Sequence, residues 1–343
     1  MNLLITGGSG YVGSRLIYRL LNKQINIHNV DISLFGDDHL PKKDNFFYHK
    51  TDLRDISEIK KIILDNKVNI VLHLACISND PTFELNNKVS KEINFDAFEP
   101  LVKISKENGV KKFIYASTCS VYGVSDQNEV REDHPLLPIT DYNKYKALCE
   151  PVLKKYLDKN FQGIIIRPAT VCGFSEKMRF DLTVNILTNY AYNKGYIRVF
   201  GGDQLRPNCH IDDMCSLYEK LIFNDIEKFS GEIFNVGMEN LKIIEIAILI
   251  KATMKKKFDK DIEIRIEKSS DPRSYHINSD KIQNMLNFKF SNTVEDAINS
   301  LIENFENGNL RDTFSEKWSN IATLKKNKKF LSSFDSIDQH SLN

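Results

Sequence analysis

TGGSGYVGSRL, residues Thr6 to Leu16, carries Gly7, Gly10 and Gly13 in the spacing G-x-x-G-x-x-G close to the start of the chain. Alone, three spaced glycines read equally as a flexible loop or as a phosphate-binding turn, and the flanks decide between the two. MNLLIT before them is a short apolar strand, and YVGSRLIYRLLNKQ after them places Val12, Leu16, Leu20 and Leu21 at helical spacing. A glycine turn between strand and helix brings backbone N–H groups against a pyrophosphate and faces it with the positive end of the helix. Gly7, Gly10 and Gly13, with Tyr11 and Val12 inside the turn, are therefore candidate dinucleotide-binding residues. Asp31 ends INIHNVD, 18 residues after Gly13. An acid there accepts both ribose hydroxyls of adenosine and repels a 2′-phosphate, which favours NAD over NADP; the competing reading is a plain turn aspartate.

The chain has 343 residues, 41% of them hydrophobic and 27% charged, with a net charge of +1, which is room for one large core or two coupled ones. No apolar run approaches the roughly 18 residues needed to span a bilayer, and the N-terminus enters a strand without a signal-peptide pattern. The expectation is a soluble cytoplasmic protein. The near-zero charge gives no reason to invoke nucleic acid, and KKNKK, Lys325 to Lys329, reads as a solvated tail. Cysteines 76, 119, 149, 172, 209 and 215 show neither C-x-x-C pairing nor histidine clustering, so they suggest no metal and no disulfide framework. Cys119 alone falls in the stretch assigned below to catalysis, and no activating base adjoins it in sequence.

Strand-like NLLIT, INIHNVD, FFYHKTD, NIVLHLA, KFIYAS and GIIIRPA alternate with RLIYRLLNK, ISEIKKIILDN, EINFDAFEPLVKISKENG and YNKYKALCEPVLKKYLDKN. The βα alternation predicts an α/β fold, a Rossmann-type doubly wound parallel sheet with ligands at the C-terminal strand ends. Beyond residue 170 the alternation loosens into a smaller mixed α/β substrate-binding lobe. The expected division is a dinucleotide domain over 1–170, with returns near 207–237 that include EIFNVG, then a lobe over 171–310. Residues 311–343, polar and holding the only tryptophan, Trp318, read as a surface extension without chemistry.

KFIYAS runs into TCSVYG, and DYNKYK follows, with Tyr142 and Lys146 at i and i+4 on one helical face. A phenol is a poor base at neutral pH, but a neighbouring ammonium and an oxidised nicotinamide both favour its phenolate. Lys146 would supply the ammonium. The Thr118 hydroxyl, at the adjacent strand end, could bond the same substrate oxygen and align it for proton removal. Y-x-x-x-K is common on surface helices; its position after the glycine turn, the acidic strand end and the hydroxyl strand end is what gives it weight.

Through TGGSGYVGS, Asp31, TDLRD, HLACIS, YASTCSVYG, Y-x-x-x-K, IIIRPATVCG, RPNCHIDD, FNVG and DPRSY, the chain resembles the extended short-chain dehydrogenase/reductases of the nucleotide-sugar epimerase and dehydratase group over about residues 1–310. The resemblance implies adenine contacts from Asp52 and Leu53, cofactor contacts from Leu74 and Ala75, and support of the cofactor loop by Asn94. It implies Thr118, Tyr142 and Lys146 as the catalytic trio, with Tyr142 and Lys146 also touching the cofactor. Arg206 and Arg273 resemble the pair that clamps the sugar nucleotide's diphosphate, a role that suits guanidinium forks. Thr170 stands where relatives often have asparagine, and the lobe stretch MRFDLTVN, with Leu182, is expected to contact the sugar nucleotide. A homodimer is expected, through helices rich in apolar residues such as EPLVKISK and CEPVLKKYL.

Thr118-Cys119-Ser120 replaces the Thr-Asp-Glu usual in 4,6-dehydratases, which argues against water elimination by that route. Pro151 follows Lys146 in its helix and should bend it without displacing Tyr142. Asp212 and Asp213 of HIDD read as helix-capping residues. The leading expectation is an NAD-dependent sugar-nucleotide 4-epimerase working through transient C4 oxidation. Two alternatives stay open: a C4 dehydrogenase that releases the 4-keto sugar, and a catalytically idle NAD-binding regulator.

Overall fold

A computed structural model describes residues 1–125, 129–268, 274–327 and 330. Its main sheet is built from β1 (Asn2–Thr6), β2 (Asn26–Asp31), β3 (Phe46–Lys50), β4 (Ile70–His73), β5 (Lys112–Ala116) and β6 (Gln162–Pro168). After the short β7 (Thr170–Cys172), β8 (Tyr196–Phe200) and β9 (Leu205–His210), the chain returns to it as β10 (Ile233–Val236). The seven strands lie in the order β10-β6-β5-β4-β1-β2-β3, all parallel. Order reverses between β1 and β4, which makes their C-terminal ends the topological switch point of the sheet.

Period-two alternation buries both faces of the sheet. Leu3 and Ile5 pack on one side with Leu16, Ile17, Leu72 and Ile114, while Leu4 packs on the other with Val71, Phe113, Tyr115 and Ile165. Leu3, Leu4 and Ile5 have no exposed surface, and each contributes about 1.5–3 kcal/mol by its burial. Beyond the main sheet, β9 pairs with β7 and with β11 (Glu239–Lys242), and β8 pairs with β12 (Glu263–Glu267). A separate apolar cluster of Val184, Leu187, Ile197, Val199, Ile246 and Ile250 underlies this smaller part. Among the described residues no helix is long and apolar enough to cross a membrane.

Three local features depart from the sequence reading. The helical stretch expected from Glu92 starts earlier, at Asn87, and contains a π turn over Glu92–Asp96, closed by the Ala97 N–H on the Glu92 carbonyl at 2.9 Å. Helix Ile211–Phe223 is capped by the ring of His210, which accepts from the Asp212 N–H. Asp212 instead takes Arg15, and Asp213 accepts the Ser291 and Asn292 N–H groups. The third is the C-terminal segment. Asn320–Lys326 is a helix whose Leu324 is buried against Ile77, Val89 and Ile93, and the Trp318 carbonyl accepts from the Phe180 N–H. The stretch read as a plain extension is thus docked on the body, because Trp318 and Leu324 are two apolar anchors in a polar sequence.

Helix Asp141–Tyr156 runs through Pro151 without interruption. Glu150 on this helix takes Arg167 of β6 in a fork, at 2.9 and 2.6 Å, with both side chains almost fully buried. Ser117 donates to the same carboxylate, and Arg167 also reaches the Tyr122 hydroxyl. This network ties the helix to the ends of β5 and β6. Removing one partner leaves a buried unpaired charge, so Arg167→Met should destabilise the protein by about 3–5 kcal/mol, and Arg167→Met with Glu150→Met should recover most of that loss. Urea unfolding measures both; a loss below about 1 kcal/mol for the single variant would contradict the role given to the pair.

Candidate active site

The switch point is closed at its base by contact between the two loops that flank it. Leu74 N–H donates to the Thr6 carbonyl at 3.0 Å, and Thr6 Oγ1 lies 2.8 Å from Nδ1 of His73, which burial holds neutral by lowering its pKa to about 3. Gly7 has φ +75°, and a Cβ on it would stand 2.6 Å from the Ala75 backbone. A Cβ on Gly13 would stand 2.5 Å from Gly8 Cα. Both glycines are therefore required by close backbone approach.

Above them opens a cleft of about 480 Å³. Gly7, Gly10, Tyr11, Val12, Gly13, Asp31, Asp52, Leu53, Leu74, Ala75, Thr118, Tyr142, Lys146, Thr170, Leu182 and Arg206 all line it. Asn94 does not. From the π turn its side chain accepts from the Ile77 N–H at 2.8 Å and donates to the Ile77 carbonyl at 3.0 Å, so it holds the loop that lines the cleft. Arg273 lies outside the described residues.

The donor set fits a dinucleotide. Asp31 sits at the end of β2, with one oxygen accepting from Ser9 N–H at 3.0 Å and the other from Ser33 N–H at 2.8 Å. The carboxylate, an acceptor-only group that lines the cleft, suits the hydroxyls of a ribose. Burial pushes the Asp31 pKa up, and the hydrogen bonds from Ser33 and Ser9 oppose that shift. Arg54 forks onto the Asp52 carboxylate at 3.0 and 2.8 Å and reaches Glu92 at 2.9 Å, which fixes the strand-end loop. The Tyr11 hydroxyl donates to the Gly173 carbonyl at 2.6 Å, tying the glycine turn to the second part of the chain.

At the other end of the cleft, Thr118 caps the turn Cys119–Tyr122, accepting from the Ser120 N–H at 3.2 Å. Its Oγ1 lies 2.8 Å from the Ser120 hydroxyl, which bonds Asn143. Tyr142 enters from the first turn of its helix, capped by Thr140. Lys146 lines the cleft with Tyr142, and its Nζ donates to the Ala116 carbonyl at 2.7 Å and lies 5.2 Å from the centre of the Tyr115 ring. Shared helical face fixes the side of the helix, not the rotamer. Burial pushes the Tyr142 phenol well above its ordinary value; Cys76 and Asp80 add to the rise, and the opposing cation is Arg179.

Arg179 and Asp181 fall in MRFDLTVN, the stretch expected to contact the sugar nucleotide, whereas the sequence assigns no role to Lys177, just before it. In KMRFD, Met178 and Phe180 are buried in the core, while Lys177, Arg179 and Asp181 line the cleft. Arg179 forks onto Asp181 at 3.0 and 2.7 Å and donates to Ser78 at 3.1 Å. That charged-apolar alternation was the available signal. Asp80, Ser120, Tyr275 and Asn320, to which the sequence assigns no binding role, also line the cleft. Arg206 lies on β9 with its guanidinium 5.4 Å from the centre of the Tyr275 ring.

The sequence model of the NAD dependent epimerase/dehydratase family matches residues 3–237. A UDP-glucose 4-epimerase of Lactobacillus helveticus is 24% identical over 320 residues, 87% of this chain and 95% of that one. A dTDP-D-glucose 4,6-dehydratase of Mus musculus is 26% identical over 326 residues, 89% of this chain and 90% of that one. Among solved structures, UDP-glucose 4-epimerase of Thermotoga maritima with UDP-glucose superimposes with a TM-score of 0.80 at 22% identity, covering 90% of this chain and all of that one.

Cys119 lines the cleft but is buried, and that burial pushes its thiol up to about 12, so it is no nucleophile. Of the six cysteines only Cys76 is partly exposed. A thiol reagent at pH 7 should therefore label at most one cysteine in the native protein, Cys76→Ser should abolish that labelling, and denaturation should expose all six. Rapid native modification of Cys119, located by peptide mass, would contradict this.

Proposed function

The chain belongs to the NAD dependent epimerase/dehydratase family, and on that premise we propose that it is a sugar-nucleotide 4-epimerase acting by transient oxidation at C4. The observation that carries the reading is the meeting of Thr118, Tyr142 and Lys146 with the glycine turn and Asp31 in one cleft at the switch point. The cofactor would lie with its adenosine end at Asp31, Asp52 and Leu53 and its diphosphate over Gly7, Gly10 and Gly13. When bound it supplies a reversible hydride acceptor for the sugar's C4.

The protein's own groups handle the proton. Thr118 orients the C4 hydroxyl, and Tyr142 takes its proton as the C4–H bond breaks, leaving a 4-keto sugar. That proton transfer needs the phenolate, which burial opposes and positive charge favours. Lys146, bonded to the strand end, and Arg179, paired with Asp181, are the cations that would favour it. After the ketosugar turns, Tyr142 returns the proton as hydride returns to the opposite face. Arg206 would hold the substrate's diphosphate, with Arg273 as the second cation of the pair; Thr170 and Leu182 would line the nucleotide side. Cys119 and Ser120 next to Thr118 put no carboxylate where water elimination would need one, which supports epimerisation over dehydration.

Incubation with UDP- and dTDP-hexoses should convert one C4 epimer into the other with no net change in NADH absorbance, and Tyr142→Phe should lower the rate by about 10²–10⁴-fold. Stoichiometric NADH with release of a 4-keto sugar would establish the dehydrogenase instead. Bound NAD with no turnover of any sugar nucleotide, and no effect of Tyr142→Phe, would establish the idle regulator. Asp31→Ala should lower the NAD-over-NADP affinity ratio by at least about tenfold, equivalent to 1.4 kcal/mol; an unchanged ratio by calorimetry would show that another residue reads the ribose.

A further inference from the structure

Lys177 carries a charge that nothing in the proposed reaction uses. It is only 4% exposed, yet it lines the cleft. Its ammonium bonds two main-chain carbonyls, Met178 at 3.3 Å and Lys317 at 3.1 Å, and has no carboxylate within hydrogen-bonding distance among the described residues. Asp181, the carboxylate whose charge acts on it, is already forked onto Arg179. A buried ammonium held only by neutral carbonyls is costly unless an anion joins it.

Its position indicates which anion. The Lys177 N–H donates to Ser14 Oγ at 3.2 Å, in the helix Tyr11–Leu20 that the glycine turn opens. Nζ lies 5.1 Å from the centre of the Phe35 ring, in the loop after β2 that lines the same cleft. The Trp318 ring centre is 5.9 Å from Nζ, and Asn320 of the docked C-terminal segment also lines the cleft. The ammonium thus lies near the strand-end loop and the C-terminal segment, while the Lys177 backbone is bonded to the helix whose N-terminus would present N–H groups to a diphosphate.

We propose that Lys177, held in place by the docked C-terminal segment through the Lys317 carbonyl, is the cation that binds the diphosphate of the dinucleotide cofactor. This rests on the NAD-binding reading of the glycine turn. By supplying the carbonyl that holds the ammonium, the segment couples its own docking to cofactor retention.

The charge state of the free side chain gives a second handle. Burial, with Arg179 and Lys317 adding repulsion and Asp181 opposing, lowers the Lys177 pKa to about 8. His39 is the other titratable group facing it, and burial keeps that ring neutral at this pH. A diphosphate raises the lysine pKa again, so binding takes up a proton near pH 8. Cofactor affinity is therefore fully present below about pH 8 and weakens as pH rises through it.

Calorimetry with NAD, ADP-ribose and UDP on the full chain tests this. Lys177→Met should weaken NAD and ADP-ribose by about 10- to 100-fold, the value of a hydrogen bond to a charged group, and leave UDP binding unchanged. Lys177→Arg should restore most of the affinity. The wild type should take up protons on binding NAD at pH 8, measured in two buffers of different ionisation heat, and Lys177→Met should not. Weakened UDP binding with NAD unchanged would overturn the proposal and assign the cation to the substrate's diphosphate. NAD affinity unchanged in Lys177→Met would also overturn it. If Lys177→Met fails to fold, the absence of wild-type proton uptake overturns it alone. No binding of NAD to the wild type would be a failure of the cofactor reading itself, separate from any effect of Lys177.

Discussion

Everything in the cleft depends on how closely the chain passes itself between Gly7 and Ala75. Two loops leave adjacent strands, β1 and β4, in opposite directions across the sheet, and they must touch for the first turn of helix Tyr11–Leu20 to face the opening between them. A side chain at Gly7 would stand 2.6 Å from the Ala75 backbone, and no rotamer relieves a clash that begins at Cβ. The hydrogen bond from Leu74 to Thr6 and the neutral His73 beneath hold that contact. From this junction Asp31 lies one strand to one side and Thr118 beyond β4 on the other, so cofactor and reacting groups share one floor.

The parts of this arrangement that depend on local pattern were legible in the sequence. Six strands, the glycine turn, the acid at the end of β2 and the hydroxyl at the end of β5 are each marked by residues within a few positions of one another. EIFNVG reads as a return to the sheet, and Ile233–Val236 pairs with β6. Sixteen of the eighteen singled-out residues line the cleft, a consequence of the Rossmann rule that ligands collect at the C-terminal strand ends. Asn94 acts through the Ile77 backbone, and Arg273 is outside the described residues.

What was not legible depends on contacts between distant parts of the chain. Lys177 is bonded through its N–H to Ser14, 163 residues earlier, and the partner that Arg179 takes in the cleft, Ser78, lies 101 residues before it. The bond from Lys146 to Ala116 depends on a rotamer, which i,i+4 spacing leaves open. The C-terminal segment was hidden by its composition: its polar average conceals Trp318 and Leu324, which are enough to seat it. In each case the information lies in which surfaces meet, and the charged-apolar alternation of KMRFD is the one sign of it in the sequence.

The proposed epimerisation requires that hydride leave C4 and return to the same carbon within one turnover, with Tyr142 shuttling only the proton. A sugar nucleotide deuterated at C4 tests this, with the product followed by mass and NMR. The expected product is a C4 epimer that keeps its deuterium at C4, carries none at C6 and has not exchanged its C5 hydrogen. Deuterium accumulating in released reduced cofactor, or deuterium moved from C4 to C6 of a 4-keto-6-deoxy product that has taken a solvent proton at C5, would contradict it.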